Sequence, residues 1–99
     1  MYLYLWRYRV RPECQAEFID TYGPAGGWVR LFRSDPAYLG TRLLRDTNEP
    51  DCFLTIDCWE SECLCAAFRE RNRAAFDALD LASARLTSEE TYMGAITST

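Results

Sequence analysis

Few of the side-chain types in this chain can do chemistry. It carries eleven Arg, fifteen Asp and Glu together, five Cys, six Tyr and three Trp, but no Lys and no His. Without His there is no Ser–His or Cys–His dyad and no imidazole general base. Nor can His bind haem, zinc or a non-haem iron. Without Lys there is no Schiff base and no phosphate-loop lysine. Any catalysis must use carboxylates, Arg, Tyr, Trp, Asn, Cys or a reactive substrate. The net charge of −4 argues against nucleic acid, whose binding needs a basic face.

Within Cys52–Phe76 two residues stand out. Trp59 ends an apolar run on the more polar of its two alternating faces. Asn72 lies in a helical stripe of Leu64, Phe68, Ala75, Phe76 and Leu79, where its amide needs a partner. On a packing reading, Trp59 anchors a sheet corner and Asn72 bonds to nearby backbone. On a functional reading, both line a ligand pocket. The cysteines point elsewhere. Cys63 and Cys65 are two apart on a helix and cannot chelate together. Cys52 and Cys58 share a strand face but lie about 20 Å apart. All five read as small packing residues in a reducing compartment, with Cys63, in the first turn of its helix, the one candidate for a reactive thiol. No metal site is expected.

The elements that must position these residues follow from periodicity. Clean alternation predicts a strand over Tyr2–Arg11, with Tyr2, Tyr4, Trp6, Tyr8 and Val10 on the face that meets the helices. Pro12 opens a helix that stops at the Gly23–Gly27 stretch, and a second helical piece spans Trp28–Arg33. Strands follow over Tyr38–Asp46 and Cys52–Trp59, joined by the polar hairpin loop Thr47–Asp51. Ser61 N-caps a long helix through Leu79. Asp80–Arg85 continues as a short helix or turn, and Thr87–Ile96 is the last strand, with Tyr92, Gly94 and Ile96 sharing a face. The order is β-α-β-β-α-β. The expected fold is α+β, a single ferredoxin-like domain over residues 1–99, with an antiparallel sheet carrying both helices on one face.

The other sheet face is left bare, carrying Arg, Thr, Tyr and Phe. There Arg7 or Arg9 could meet Asp57 across the ladder. Pairing two such faces would bury them and close a barrel, so a homodimer is expected. No apolar run reaches the roughly 20 residues of a membrane span. No signal peptide is evident, which makes the cytoplasm the expected compartment.

The opening YLWRYRV with Pro12, the segment DPAYLGTRLLRD, the run FLTIDCWES before the helix AAFRERNRAAFDALD, and the closing EETYMGAI resemble the antibiotic biosynthesis monooxygenase superfamily of dimeric α+β barrels. That resemblance implies a homodimer. Members include cofactor-independent oxygenases of hydroquinones or anthrones, haem-degrading oxygenases and quinol oxygenases. A Trp at the strand-to-helix junction lines the pocket in several relatives, and Trp59 stands there. The haem-degrading branch uses a His near the position of Asn72, which this chain lacks. The cofactor-free oxygenases use an Asn, a Trp and nearby Tyr or Arg to orient and deprotonate an electron-rich phenol.

The resemblance therefore implies a cofactor-independent monooxygenase acting on a small aromatic or quinol-type substrate. Trp59 and Asn72 would be catalytic, and Trp6, Trp28, Phe68 and Phe76 would wall the ligand. Arg71, or Arg9 from the opposite sheet face, would supply positive charge. No cofactor and no metal are implied. The alternatives are a non-catalytic dimer binding a small aromatic ligand and a purely structural dimer. Alternation sets Trp59 opposite the Leu54/Ile56 face, so the strand must twist at its end if Trp59 is to meet Asn72.

Overall fold

A computed structural model describes all 99 residues. The elements run β1 (Tyr2–Val10), α1 (Gln15–Tyr22), α2 (Gly27–Phe32), β2 (Tyr38–Arg45), β3 (Cys52–Trp59), α3 (Glu62–Arg71), α4 (Arg73–Ser83) and β4 (Thr87–Thr97). Single 3₁₀ turns at Pro12–Cys14 and Ala84–Leu86 join β1 to α1 and α4 to β4. The sheet order is β2-β3-β1-β4, and every neighbouring pair is antiparallel. This is the α+β ferredoxin-like arrangement expected from the order of elements. No helix is long and apolar enough to cross a membrane.

The register decides which residues face the helices. Tyr4 pairs with Asp57, Trp6 with Thr55 and Tyr8 with Phe53. The β1 aromatic face is therefore continuous with Phe53, Thr55, Asp57 and Trp59, all four of them buried. Arg7 pairs with Leu54 instead, and its guanidinium reaches Asp46 and Glu49. The expected meeting of Arg7 or Arg9 with Asp57 does not occur, because side chains alternate strictly and Asp57 points to the other side. The bare face is also more apolar than expected. Phe53 and Thr55 are turned inward, leaving Leu3, Leu5, Leu54 and Ile56 outward beside Leu44 and Ile96, the last two 43% and 61% exposed.

Three register shifts adjust the edge strands, one in β2 and two in β4. In β2, Tyr38 pairs with Trp59 but Gly40 with Cys58, so Leu39 is an extra residue. In β4, Gly94 pairs with Leu5 but Tyr92 with Trp6, so Met93 is extra. These two shifts each lie beside a glycine with positive φ, +143° at Gly40 and +115° at Gly94, where a side chain would be strained; the third leaves Ser88 extra, between Glu89 opposite Arg9 and Thr87 opposite Val10. One inserted residue flips every side chain beyond it. Tyr92 and Glu90 thus turn toward the helices while Ile96 stays on the open face. The simple alternation expected for β4, with Tyr92 and Ile96 together, fails at Gly94 for this reason.

The long helix expected from Ser61 to Leu79 is two helices. Asn72 leaves helical geometry at φ −113°, ψ 23°. Both its backbone N–H and its side-chain Nδ2 donate to the Phe68 carbonyl, each at 3.0 Å. A short amide side chain that competes for a turn carbonyl bends or breaks a helix. The break lets α4 follow the sheet past Phe76 and Leu79. Between α1 and α2, a side chain at Gly26 would collide with the carbonyls of Asp20 and Thr21, so the kink requires glycine.

At the start of α3, the Ser61 Oγ accepts from the Leu64 N–H at 3.1 Å. Ser61→Ala is expected to cost about 1 kcal/mol. Urea unfolding checks this: the midpoint should fall while the slope stays constant.

Candidate functional site

The helix-covered face does not close completely. A cavity of about 170 Å³ lies between it and the helices. β1 supplies Tyr4, Trp6 and Tyr8 to its wall; the opposite wall is Tyr22, Trp28 and Phe32 from α1 and α2, with Phe76 from α4. These rings lock one another. Tyr8 lies 5.0 Å from Tyr22, and Trp28 meets Phe76 edge-on at 4.9 Å. A cavity of similar size accepts a benzene ring, so this one holds one aromatic ring with small substituents.

Its polar lining is Thr41, Thr55 and Asp57 from the sheet, with Asp80 and Glu90, both exposed, at the mouth. Asp57 is the unusual member, only 7% exposed on an otherwise aromatic face. Thr41 donates to its Oδ1 at 2.5 Å, and the Tyr38 hydroxyl lies 2.5 Å from the Thr41 oxygen. Thr41 has one proton and gives it to the carboxylate, so it accepts from Tyr38. The result is a chain running Tyr38 to Thr41 to Asp57. Burial pushes the Asp57 carboxyl up to about 6, against the opposing pulls of the Thr41 hydrogen bond and the Arg69 charge. Asp57 is then mostly ionised at pH 7, yet holds a proton roughly a hundredfold more tightly than an exposed Asp.

The cavity phenols behave in the opposite sense. Burial pushes Tyr4 and Tyr8 well above the ordinary tyrosine range and Tyr22 up to about 12. They remain protonated hydrogen-bonding groups rather than bases; the Tyr8 oxygen accepts from Thr55 at 3.3 Å. The Trp28 indole N–H, in a residue 8% exposed, has the Tyr22 hydroxyl as its neighbouring acceptor, and that approach works against the burial-driven rise of the phenol.

Of the residues expected from sequence, Trp6, Trp28 and Phe76 line this cavity. Trp59 and Phe68 form the layer behind it. Trp59 is wholly buried, 5.0 Å from Phe68, 5.6 Å from Phe32 and 5.4 Å from Tyr38. No strand twist is needed to bring Trp59 to the helices, since its whole face already points there. Asn72 is not at the cavity, because its amide is tied to the Phe68 carbonyl at the helix break. Arg71 is exposed and paired with Asp35, while Arg9 lies on the open sheet face between Glu49 and Glu89. Neither cation reaches the cavity. The nearest guanidinium to its walls is Arg69, 4.9 Å from the Phe76 ring centre and 5.9 Å from that of Tyr4.

Sequence reasoning missed Asp57 as a site residue, along with Glu90 and Asp80. A signal for Asp57 was present. It shares strand parity with Trp59, Thr55 and Phe53, and the β1 aromatics already marked the helix side. Glu90 carried no such signal, because the bulge at Met93 reverses its side.

Comparison with known proteins agrees with the architecture. Residues 1–78 match the family model described as antibiotic biosynthesis monooxygenase. Among solved structures, a variant of SnoaB, a cofactor-independent oxygenase from Streptomyces nogalater, superposes with a TM-score of 0.72 at 17% identity, covering 98% of this chain and 91% of that one. A protein from Bordetella bronchiseptica that carries the same family name gives 0.75 at 17% identity, covering 99% and 96%. A conserved protein from Methanosarcina mazei Go1 gives 0.73 at 11% identity, covering 99% and 92%. A search of curated protein sequences gives no match.

Proposed function

Because the chain belongs to the antibiotic biosynthesis monooxygenase family, we propose that its cavity binds a small electron-rich phenol and that the protein oxygenates it without a cofactor. The observation that carries this reading is Asp57, a buried carboxylate with raised proton affinity inside an aromatic cavity sized for one ring. Such a group is suited to take a phenolic proton as the reaction proceeds. The transfer also respects the low dielectric of the site. The negative charge moves from carboxylate to phenolate, so the transfer adds no further charge to the buried end of the cavity.

The phenolate supplies the electrons. For a naphthol, C₁₀H₈O + O₂ gives C₁₀H₆O₂ + H₂O: one oxygen atom enters the ring as a quinone carbonyl and the other leaves as water. The protein's part is to exclude water, favour the anion and hold the ring. Trp6, Trp28 and Phe76 wall the ring. Thr41 orients Asp57, with Tyr38 behind it. Trp59 and Phe68 act as positioning residues behind Tyr4, and Asn72 shapes the helix junction.

Oxygen uptake by metal-chelated protein tests this, using naphthols, anthrones and hydroquinones as substrates. The expected result is saturable uptake with one O₂ consumed per naphthol oxidised. Uptake no faster than in buffer across the panel would contradict the reading.

The same proposal includes a homodimer paired through the open sheet face. Its Leu and Ile side chains form an apolar patch of the kind that marks an interaction surface. Light scattering at micromolar concentration should give twice the chain mass, and Ile56→Arg should give a monomer. A monomeric wild type would contradict the pairing.

A further inference from the structure

The charges around the cavity are one-sided. It is lined by three carboxylates, Asp57, Asp80 and Glu90, and by no Arg. None of the three takes part in any of the protein's seven ion pairs. Arg69 acts on Asp57 from a distance, and no cation reaches the other two. At the mouth, Glu90 accepts only from Thr87 at 3.3 Å, and partial burial, with the neighbouring Asp80 charge adding to it, pushes its carboxyl above the usual range. Two like charges held together without a counter-ion favour a cation placed between them. The remaining wall is a ring of aromatic faces, which present negative potential to a bound cation.

We propose that the cavity's ligand is a phenol bearing a protonated amine, its ring seated among Tyr22, Trp28 and Phe76 and its ammonium held at the mouth by Asp80 and Glu90. This rests on the reading of the cavity as the substrate site and narrows the substrate class. The enclosed aromatic cavity beside the carboxylate pair is the independent pointer to a ligand, since it leaves room for one ring next to their charges. The cation also offsets the charge that develops on the phenolate when Asp57 takes the proton. An anionic aromatic, by contrast, would meet three carboxylates.

Isothermal titration with a matched series separates these cases: tyramine, 4-ethylphenol and 4-hydroxyphenylacetate, each at low and high salt. Tyramine is expected to bind at least about tenfold more tightly than 4-ethylphenol, with 4-hydroxyphenylacetate weakest. The tyramine preference should shrink as salt rises. In Asp80→Asn/Glu90→Gln the ratio of tyramine to 4-ethylphenol affinity should fall below about threefold. If 4-ethylphenol binds as well as tyramine, or the ratio is unchanged in the double variant, the amine assignment is overturned while the cavity remains a phenol site. If none of the three binds, the amine and the cavity reading fall together.

Discussion

Asp57→Asn is expected to lower kcat for a phenolic substrate by at least about a hundredfold, the lower bound for losing a positioned general base. The same substitution is expected to stabilise the fold near neutral pH. The folded-state pKa of about 6 lies above the ordinary carboxylate value of 3.8, so the native protein binds this proton more tightly than the unfolded chain. Native stability from this group is full below pH 4 and is lost as pH rises through about 6. Above that, the buried charge costs on the order of 3 kcal/mol. An amide in its place removes the cost and can still accept from Thr41. Urea unfolding at pH 8 should therefore show the variant more stable than wild type, while unfolding at pH 4 should show little difference. A gain in stability with a loss of turnover is the signature of a strained functional group. A variant that loses both would mark Asp57 as structural.

The second large effect concerns packing. Trp59→Ala should destabilise the protein by about 3–5 kcal/mol, because Trp59 is fully buried and touches Phe32, Tyr38 and Phe68. That is a large share of the 5–15 kcal/mol typical of a domain. It corresponds to a fall in Tm of roughly 4–8 °C per kcal/mol at this size. Trp59→Phe keeps a ring behind Tyr4 and loses the indole N–H that lies against the Tyr4 hydroxyl. Its kcat should stay within about tenfold of wild type, well short of the loss at Asp57. Thermal unfolding and oxygen uptake on the same two variants separate the packing role from the chemistry. A hundredfold loss in Trp59→Phe would move the reacting centre one layer deeper than the cavity.

The contrast between these residues shows what the sequence carries. Alternation in YLYLWRYRV sets the helix face of β1, and the run CFLTIDCW has the bounds of β3. The order of elements then leads to the sheet. What alternation lacks is register between strands. Without the register of β1 against β3, Arg7 or Arg9 could meet Asp57, whereas the pairing puts Tyr4, not Arg7, opposite it. Bulges hide more. Met93 and Leu39 each reverse the side of what lies beyond, and nothing but a nearby Gly marks them. Asn72 is ambiguous for a different reason: a polar residue in an apolar stripe fits a pocket position, and it equally fits a side chain that breaks a helix on its buried side. Arg71 and Arg69 are two residues apart on one helix, so spacing alone does not say which lies over the cavity wall.

The most direct test of Asp57 as the base of a phenol site is the pH dependence of kcat/KM. It would be measured by oxygen uptake with a naphthol, in wild type and Asp57→Asn, under chelation. Wild type is predicted to rise with pH to a plateau with an apparent pKa of about 6, the protonation state of the free enzyme's base. Asp57→Asn should lack that inflection and sit about a hundredfold lower on the plateau. The same inflection in both proteins, or an undiminished plateau in the variant, would contradict the account.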